Sequence, residues 1–257
     1  MSTCRAVVAL WQRELVRFYR QRDRVVGALL TPVVFWLLLG LGLGRSFQSA
    51  SAPGGLGYLE FFYAGTMVLI VLFTAIFSTI SLIEDRREGF LQGVLVAPVG
   101  RAALVGGKVA GGATLATLQG LLFLMLAPLV KVKLAWAAVA WLVVTLGVLS
   151  VALTALGFVI AWRMESTQGF HAIMNLVLMP MWILSGAVFP PDGAARWLGW
   201  IMQLNPLSYG VTAVRAGLYW GEAQLPVVAF GITAGFAAVM CAVAWWSARQ
   251  RSVRDVT

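Results

Sequence analysis

Six long apolar runs divide this chain of 257 residues, and they constrain its fold more than any other feature. Each run is close to, or longer than, the roughly 20 residues that an α-helix needs to cross a bilayer. Only 11% of the residues are charged, whereas soluble domains carry about 25%. We therefore predict an all-α membrane protein with six transmembrane helices, at 25–44, 59–83, 102–130, 134–162, 168–189 and 225–248. The first run exceeds the apolar core of a signal peptide, so we expect it to remain as a span.

The basic residues are distributed unevenly around these runs. Fourteen of the 19 Lys and Arg residues lie in the N-terminal segment, in the loops after the second and fourth runs, and at the C-terminus. Because cytoplasmic loops carry the excess of Lys and Arg, we expect a multi-pass protein with both termini in the cytoplasm. The same distribution accounts for the net charge of +9 without a nucleic-acid partner.

The N-terminal segment, residues 1–24, has the pattern of an amphipathic helix. Arginines recur on one face, at Arg13, Arg17, Arg20 and Arg24. Apolar residues recur on another face, at Val7, Trp11, Leu15 and Phe18. We expect this helix to lie in the membrane interface with its arginines towards anionic headgroups. The alternative is a solvated basic tail.

The segment at 190–222, between the fifth and sixth runs, is apolar but repeatedly broken. It opens with Pro190 and Pro191, and Asn205-Pro206 interrupts it again. It is too broken to span the bilayer and too apolar to be a solvated loop. We expect short re-entrant helices that enter the outer leaflet with protein around them, because lipid cannot satisfy exposed backbone polar groups.

The sequence argues against nucleotide hydrolysis by this chain. Gly106-Gly107-Lys108 is the nearest approach to a phosphate-binding loop, but Ala102 replaces the first glycine and Val109 follows the lysine. Serine-protease chemistry is also excluded within one protomer, because Ser185 and His171 lie 14 residues apart on one predicted helix, about 21 Å along its axis. The lone histidine and scattered methionines give no metal-ligand cluster.

The predicted spans hold no internal Asp or Glu, which ion-driven carriers usually need at mid-depth. The energy for any transport would therefore come from elsewhere. The stretch at 84–108 combines a charged helix end, a short apolar piece, a proline stop and a basic re-entry. It could insert into a soluble partner, and an ordinary charged cytoplasmic loop is the alternative.

Two blocks of sequence stand out in their order and spacing around the predicted spans. The first comprises Glu84-Asp85-Arg86-Arg87-Glu88-Gly89-Phe90-Leu91, then Leu95-Val96-Ala97-Pro98-Val99-Gly100-Arg101 and Gly107-Lys108. The second comprises Ser185-Gly186-Ala187-Val188-Phe189-Pro190, then Trp197, Leu204-Asn205-Pro206-Leu207-Ser208-Tyr209 and Arg215. Both blocks resemble the permeases of type-two ABC exporters, in particular the drug-resistance and nodulation-factor branch, and the resemblance covers essentially the whole chain. One departure is Gln92-Gly93, where that branch often carries an acidic residue before Leu-Val-Ala-Pro.

The resemblance implies one ABC exporter transmembrane domain over 1–257, with the type V fold, in the bacterial plasma (inner) membrane. It implies a permease homodimer and two copies of a P-loop ABC ATPase, which would bind ATP and Mg²⁺, so this chain needs no cofactor. A coupling helix region at 84–101 would dock on the ATPase through Glu84, Arg87, Glu88, Gly89, Phe90, Leu91, Pro98 and Arg101. The outer re-entrant segment would include Pro190, Trp197, Asn205, Pro206 and Tyr209.

Residues on the second and fifth runs, most of them polar, are candidates for a substrate pathway. They are Thr74, Phe77, Ser78 and Ser81 on one run, and His171, Asn175, Met179 and Trp182 on the other. Alternatively, the hydroxyls bond their own helix backbone or join neighbouring helices. We expect export of an amphiphilic cargo, such as a drug, a lipid or a lipid-linked glycan. A membrane-embedded enzyme and a non-transporting scaffold for an ATPase remain the alternatives.

Overall fold

The structure is a computed structural model that describes residues 3–44, 57–96, 100–132, 134–191, 195–219 and 226–250. Within these ranges every regular element is helical. We number the helices α1 Thr3–Arg20, α2 Arg22–Gly42, α3 Tyr58–Arg87, α4 Phe90–Val96, α5 Arg101–Leu124, α6 Trp136–Arg163, α7 Thr167–Ala187, α8 Arg196–Leu204, α9 Pro206–Leu218 and α10 Val227–Gln250. A short 3₁₀ turn at Ala127–Val130 follows α5.

Five of these helices are long and apolar enough to cross a membrane: α2, α3, α6, α7 and α10. The prediction of an all-α membrane protein is confirmed. Helix α5 has a comparable length of 24 residues, but its five glycines, Lys108 and Gln119 lower its hydropathy, and it is not among the five. The count of six spans stays a prediction.

Helix α3 forms the centre of the bundle. Between residues 61 and 83 every side chain is buried except Phe73 and Phe77, which are half-buried. Helices α2, α5 and α6 surround it. Its N-terminal part is fixed by tryptophan and tyrosine, since Trp36 Nε1 donates to the Leu59 carbonyl at 2.9 Å and Tyr63 OH donates to the Phe123 carbonyl at 2.7 Å. Buried aromatic residues thus supply apolar area while their polar atoms stay bonded.

Helix α7 is irregular, which the sequence analysis did not predict. Two π-helical turns, Met174–Leu178 and Ile183–Ala187, flank a short α-helical piece that contains Pro180. Proline lacks the N–H that a regular helix would use, so the backbone around it adopts another hydrogen-bond pattern. Trp182 Nε1 anchors this helix to α3 by donating to the Gly65 carbonyl at 2.9 Å.

The predicted break at Asn205-Pro206 is confirmed, because α8 ends at Leu204 and α9 begins at Pro206. Asn205 makes the corner. Its Oδ1 accepts from Leu207 N at 3.0 Å, and its Nδ2 donates to the Met181 carbonyl at 2.6 Å. Helix α9 packs against α6, α10 and the end of α7, whereas α8 exposes Trp197. Entry of this pair into the outer leaflet stays a prediction.

The N-terminal helix does not present all of its arginines to lipid headgroups, and that expectation is corrected. Its buried face carries Ala6, Leu10, Glu14 and Phe18 and packs against α5. The buried positions 6, 10 and 14 each precede a position of the predicted apolar stripe by one residue, whereas Phe18 belongs to both sets. Arg13 and Arg17 flank this face and turn inwards, because carboxylates of α3 attract them. Arg20 remains exposed.

Candidate functional site

Two glycines of α5 let the N-terminal helix approach closely. An added Cβ at Gly107 would lie 2.6 Å from Leu10 Cβ, and one at Gly111 would lie 2.7 Å from Glu14 Cβ. Such contacts are too short for any side chain. The Gly107–Gly111 spacing is thus used for close helix packing, as small residues at four-residue intervals allow in membrane proteins. This close packing places Glu14 in the interior of the bundle.

Lys108 lies one residue beyond Gly107 and binds the carboxylates of two other helices. Its Nζ lies 2.6 Å from Glu14 Oε1 of α1, 2.5 Å from Asp85 Oδ2 of α3, and 3.0 Å from Ser81 Oγ. Ser81 Oγ in turn donates to Glu14 Oε2 at 2.6 Å. These four residues are all at least nine-tenths buried. The Lys108 ammonium is therefore occupied by carboxylates.

Asp85 accepts two further partners from the N-terminal helix. Arg13 binds it with both Nη atoms, at 2.6 and 2.9 Å, and Arg17 Nη1 lies 2.5 Å from Oδ1. Arg17 Nη2 also pairs with Glu84 at 2.8 Å. The hydrogen bonds to Asp85 raise the pKa of the Arg13 guanidinium, which stays charged. A buried carboxylate needs such complete compensation to remain ionised.

We call this set the charged junction, comprising Arg13, Glu14, Arg17, Ser81, Glu84, Asp85 and Lys108. It contains three cations and three carboxylates, so it is neutral as a whole. It joins α1, α3 and α5 at the end of the bundle where α3 continues into α4. Glu14 and Asp85 were not singled out in the sequence analysis as site residues. One pattern pointed to Glu14, because it shares a face with Leu10 and Phe18 at four-residue intervals.

The predicted coupling region begins at this junction. Helix α3 ends at Arg87, Gly89 turns the chain with φ of 75°, and α4 follows from Phe90 to Val96. A positive φ is readily adopted by glycine alone. Leu91 is fully buried in the core, and the Phe90 ring lies 3.7 Å beneath the Arg13 guanidinium. Helix α4 is thereby attached to the junction.

Other basic residues of the region bind backbone carbonyls at neighbouring helix ends and in the loop after α6. Arg86 donates to the Trp162 and Met164 carbonyls at 2.6 and 2.7 Å, and Arg87 Nε donates to the Glu165 carbonyl at 3.1 Å. Arg101 donates to the Arg249 carbonyl at 2.5 Å. The loop between α6 and α7 and the end of α10 are therefore tied to the same end of the bundle.

Part of the coupling region remains exposed. Glu88 and Gly93 are exposed, Gln92 and Val94 are half-buried, and Glu88 has a distant pairing with Arg17 at 3.7 Å. Pro98 lies outside the described residues. The structure thus brings Glu84, Phe90 and Leu91 into the bundle and leaves Arg87 and Glu88 at the surface.

The candidate pathway residues divide into two environments. Thr74 and Ser78 are buried inside the bundle. Thr74 Oγ1 lies 2.8 Å from the Ile70 carbonyl and also within hydrogen-bond distance of Gln119 Oε1, while Ser78 Oγ donates to the Ala75 carbonyl at 2.6 Å. Both hydroxyls bond to the backbone of their own helix, and Thr74 also contacts Gln119 of α5, as the alternative interpretation predicts. Contact of Thr74 or Ser78 with a substrate stays a prediction.

The remaining pathway residues lie together at one side of the bundle. His171 and Asn175 are exposed and Met179 is half-buried on α7, and the His171 ring lies 6.0 Å from the Phe77 ring of α3. His171 Nδ1 donates to the Thr167 carbonyl at 2.7 Å. Trp182, by contrast, is buried. We call the surface of His171, Asn175, Leu176 and Val177 the α7 face.

The outer segment places its predicted residues around one corner. Pro190 is half-buried after α7, Trp197 is exposed on α8, and Pro206 begins α9. Tyr209 OH donates back to the Gln203 carbonyl at 2.8 Å. The segment is therefore folded on itself through side-chain bonds to the ends of α7 and α8.

Comparisons with known proteins agree with this architecture. The chain is 27% identical over 211 residues to Nodulation protein J of Rhizobium leguminosarum bv. viciae, which covers 81% of this chain and 80% of the relative. It is 28% identical over 216 residues to the putative transport permease ycf38 of Porphyra purpurea, covering 81% and 72%. It is 23% identical over 241 residues to the daunorubicin resistance ABC transporter permease protein DrrB1 of Streptomyces coeruleorubidus, covering 89% and 81%.

The match to a family extends over most of the described bundle. Residues 5–219 match the ABC-2 type transporter family. This range includes the charged junction, the coupling region and the outer segment as far as the end of α9. The expected resemblance to permeases of the drug-resistance and nodulation-factor branch is confirmed, and this integral membrane protein belongs to the ABC-2 type transporter family.

Proposed function

We propose that this chain is the membrane permease subunit of an ATP-driven ABC exporter in the bacterial inner membrane. The observation that carries the proposal is the position of the charged junction. It fixes α4, the predicted coupling helix, to the central helix α3 and to α5. A push on α4 by a partner would therefore reach the core of the bundle directly.

The energy source would be a separate subunit. The sequence around Lys108 lacks the spacing of a phosphate-binding loop, and the lysine itself is bound by Glu14 and Asp85. Two P-loop ATPase subunits would bind ATP and Mg²⁺ beneath a permease dimer. Their closure would move the region 84–101, with Glu88, Gly93 and the neighbouring exposed atoms as the docking surface.

The rest of the architecture follows from the same proposal. Helix α5 would be the sixth span beside the five apolar ones, so that both termini lie in the cytoplasm. Helices α8 and α9 would form the outer re-entrant segment. The α7 face and Phe77 would line the seam between two permeases, where an amphiphilic cargo could pass. The names of the relatives suggest a drug or a nodulation factor as examples of that cargo.

The docking proposal is tested by purifying detergent-solubilised chain from its native host and identifying co-purifying proteins by mass spectrometry. The test variant is Glu88→Lys with Gly89→Pro, which reverses an exposed charge and breaks the turn before α4. The control is Glu165→Lys, a charge reversal at an exposed residue of the adjacent loop.

We expect a P-loop ATPase to accompany the wild type and the control but not the test variant. An ATPase retained by the test variant would place docking elsewhere. Absence of any ATPase from the wild type under gentle conditions would contradict the exporter proposal, and the enzyme and scaffold alternatives would then take precedence. ATP hydrolysis by the purified chain alone would also contradict it.

A further inference from the structure

The outer segment borders an open cavity of about 300 Å³ between the end of α7 and helices α8 and α9. This volume is large enough for a polar head group of several heavy atoms. The wall mixes hydroxyls, backbone and a single cation. Its lining includes Ser185, Gly186, Gln203, Ser208, Thr212 and Arg215.

Arg215 is the cation in this wall. Its Nη2 donates to the Gly186 carbonyl at 2.9 Å, and its guanidinium lies 4.3 Å from the centre of the Phe61 ring. Its Nε is buried without a hydrogen-bond partner. No carboxylate of the described residues lies within 4.0 Å of it. Burial lowers the pKa of Arg215 to about 10, so it is protonated at neutral pH. The cavity therefore carries a positive charge that an anion would stabilise.

The hydroxyls of the wall are oriented by the backbone. Ser208 Oγ donates to the Met202 carbonyl at 2.7 Å, Tyr209 OH donates to the Gln203 carbonyl, and Thr212 Oγ1 donates to the Ser208 carbonyl at 2.9 Å. A hydroxyl has one hydrogen to donate, so these oxygens have only lone pairs left for a ligand. A group that itself donates hydrogen bonds would suit them.

Helix α8 contributes Gly199, Met202 and Gln203 to the cavity wall and exposes apolar residues on another face. On α8, which supplies part of the wall, Trp197, Trp200 and Leu204 are 66%, 69% and 81% exposed. An amphipathic helix with exposed tryptophans is typical of the membrane interface. The cavity therefore lies beside a helix whose outer face is suited to the membrane interface, where amphiphiles are concentrated.

We propose that this cavity binds the head group of an amphiphile that carries an anionic phosphate or carboxylate oxygen next to hydroxyl groups. Arg215 binds the anion, and the oxygens of Ser208, Tyr209 and Thr212 accept hydrogen bonds from the hydroxyls. The ligand is either a resident phospholipid of the outer leaflet or an amphiphile in transit. The head-group site follows from the cavity, whereas an amphiphile in transit as its ligand rests on the proposed export function.

The test is native mass spectrometry of the full-length chain in detergent, titrated with three short-chain amphiphiles. Dioctanoyl phosphatidylglycerol has a phosphate and hydroxyls, dioctanoyl phosphatidylcholine has the phosphate without hydroxyls, and octyl glucoside has hydroxyls without charge. The variants are Arg215→Gln, Thr212→Val and Arg196→Gln. Arg196 is the matched control, since it is an exposed cation of the same segment and does not line the cavity.

We expect the wild type and Arg196→Gln to bind phosphatidylglycerol more tightly than either other probe. Arg215→Gln should weaken this binding by about tenfold or more, as expected for loss of a charge-assisted hydrogen bond. Thr212→Val keeps the arginine and its contacts with α7, and it should weaken phosphatidylglycerol binding severalfold while leaving phosphatidylcholine binding unchanged.

Equal binding by Arg215→Gln and Arg196→Gln, or equal binding of all three probes to the wild type, would overturn the proposal. If Arg215→Gln does not yield folded protein, Thr212→Val decides, and unchanged phosphatidylglycerol affinity in that variant overturns it. Phospholipid extracted from the purified proteins separates the two sources. Enrichment of anionic lipid in the wild type over Thr212→Val supports a resident lipid, whereas equal lipid content with weaker probe binding supports an amphiphile in transit.

Discussion

Lys108 joins three helices through one side chain of the charged junction. One ammonium neutralises carboxylates from two helices and contacts a serine hydroxyl between them. The attraction between buried charges contributes little net stability, because burial also removes their hydration. Removing one partner is costly, because it leaves the other charges buried without compensation. Two buried carboxylates with too few cations cost several kcal/mol.

Replacing Lys108 by Met should therefore be strongly destabilising. Methionine keeps much of the side-chain volume but leaves Glu14 only its longer pairing with Arg13, at 3.6 Å, and weakens the compensation of Asp85. We expect a loss of about 3–5 kcal/mol in the free energy of unfolding, measured as a lowered apparent melting temperature in detergent. Arg5→Ala, at an exposed position on α1, should change stability by less than about 0.5 kcal/mol. Equal melting temperatures of Lys108→Met and wild type would refute the junction.

Glu14 and Lys108 should also be coupled energetically. Glu14→Gln keeps the shape of the side chain but removes its charge, so it should relieve part of the cost of Lys108→Met. We expect the double variant to be more stable than the sum of the single effects predicts, by about 0.5–3 kcal/mol. Melting curves of the four proteins in a double-mutant cycle give this value. Strict additivity would mean that the 2.6 Å contact contributes nothing.

At the residue scale, the sequence does not predict which charged residues meet in the charged junction. The pattern of residues 84–108 predicts insertion into a soluble partner, and the family resemblance assigns 84–101 a coupling role. Neither identifies the partners on α1, because Arg13 and Glu14 lie far from Asp85 and Lys108 in sequence. A helical repeat states which residues share a face, but not which neighbouring helix that face meets. That choice is made by tertiary packing, here by the glycine surface of α5.

At the scale of elements, the close packing of α1 on α5 depends on two glycines, which have no side chain to hold the helices apart. Gly107 and Gly111 give α1 its position, and this position brings Glu14 to Lys108. Close packing and charge pairing are thus two consequences of one geometry. A change that separates the helices should weaken both.

Gly111→Ala tests this geometry against a matched control, Gly106→Ala on the same helix. A Cβ at Gly111 would lie 2.7 Å from Glu14 Cβ, whereas a Cβ at Gly106 has its nearest neighbour at an ordinary 3.8 Å. Helix propensity alone would stabilise both variants by up to about 1 kcal/mol. We expect Gly106→Ala to be neutral or stabilising and Gly111→Ala to lose about 1–3 kcal/mol through overpacking. A stabilised Gly111→Ala protein would show that α1 moves aside without cost.

Most helix positions could be predicted from hydropathy and turn residues alone. The predicted run at 59–83 corresponds to Tyr58–Arg87, and the run at 134–162 corresponds to Trp136–Arg163. The π-helical turns of α7 could not be predicted, because π-helical and α-helical stretches have the same apolar composition. Pro180 was the one local indication. The altered backbone there is set by contacts such as Trp182 with Gly65, which only the folded bundle provides.

At the scale of the whole molecule, the described bundle exposes polar side chains on α7, a helix long and apolar enough to cross a membrane. The other helices of the same chain cover α3, and within residues 61–83 only Phe73 and Phe77 are half-buried. These two side chains are therefore the part of that stretch that a second molecule could contact. Beside them the α7 face exposes His171 and Asn175. Polar side chains within a spanning segment usually face protein or water rather than lipid. In the proposed permease dimer, a second copy of the chain would cover the α7 face.

This arrangement predicts a specific cross-link in membranes. In a two-fold dimer the same surface meets itself, so residues of the α7 face should lie near their counterparts. We expect Asn175→Cys, with Cys4 and Cys241 changed to Ser, to form a disulfide-linked dimer on mild oxidation of native membranes. Val228→Cys is the control, because Val228 is 76% exposed but lies on α10. Dimer formation is read from non-reducing gels. Because a disulfide needs Cα atoms within about 7 Å, rapid cross-linking of Asn175→Cys alone would place the α7 face at the interface. Equal rates for both variants would reflect random collision, and the dimer would then have to form through another surface.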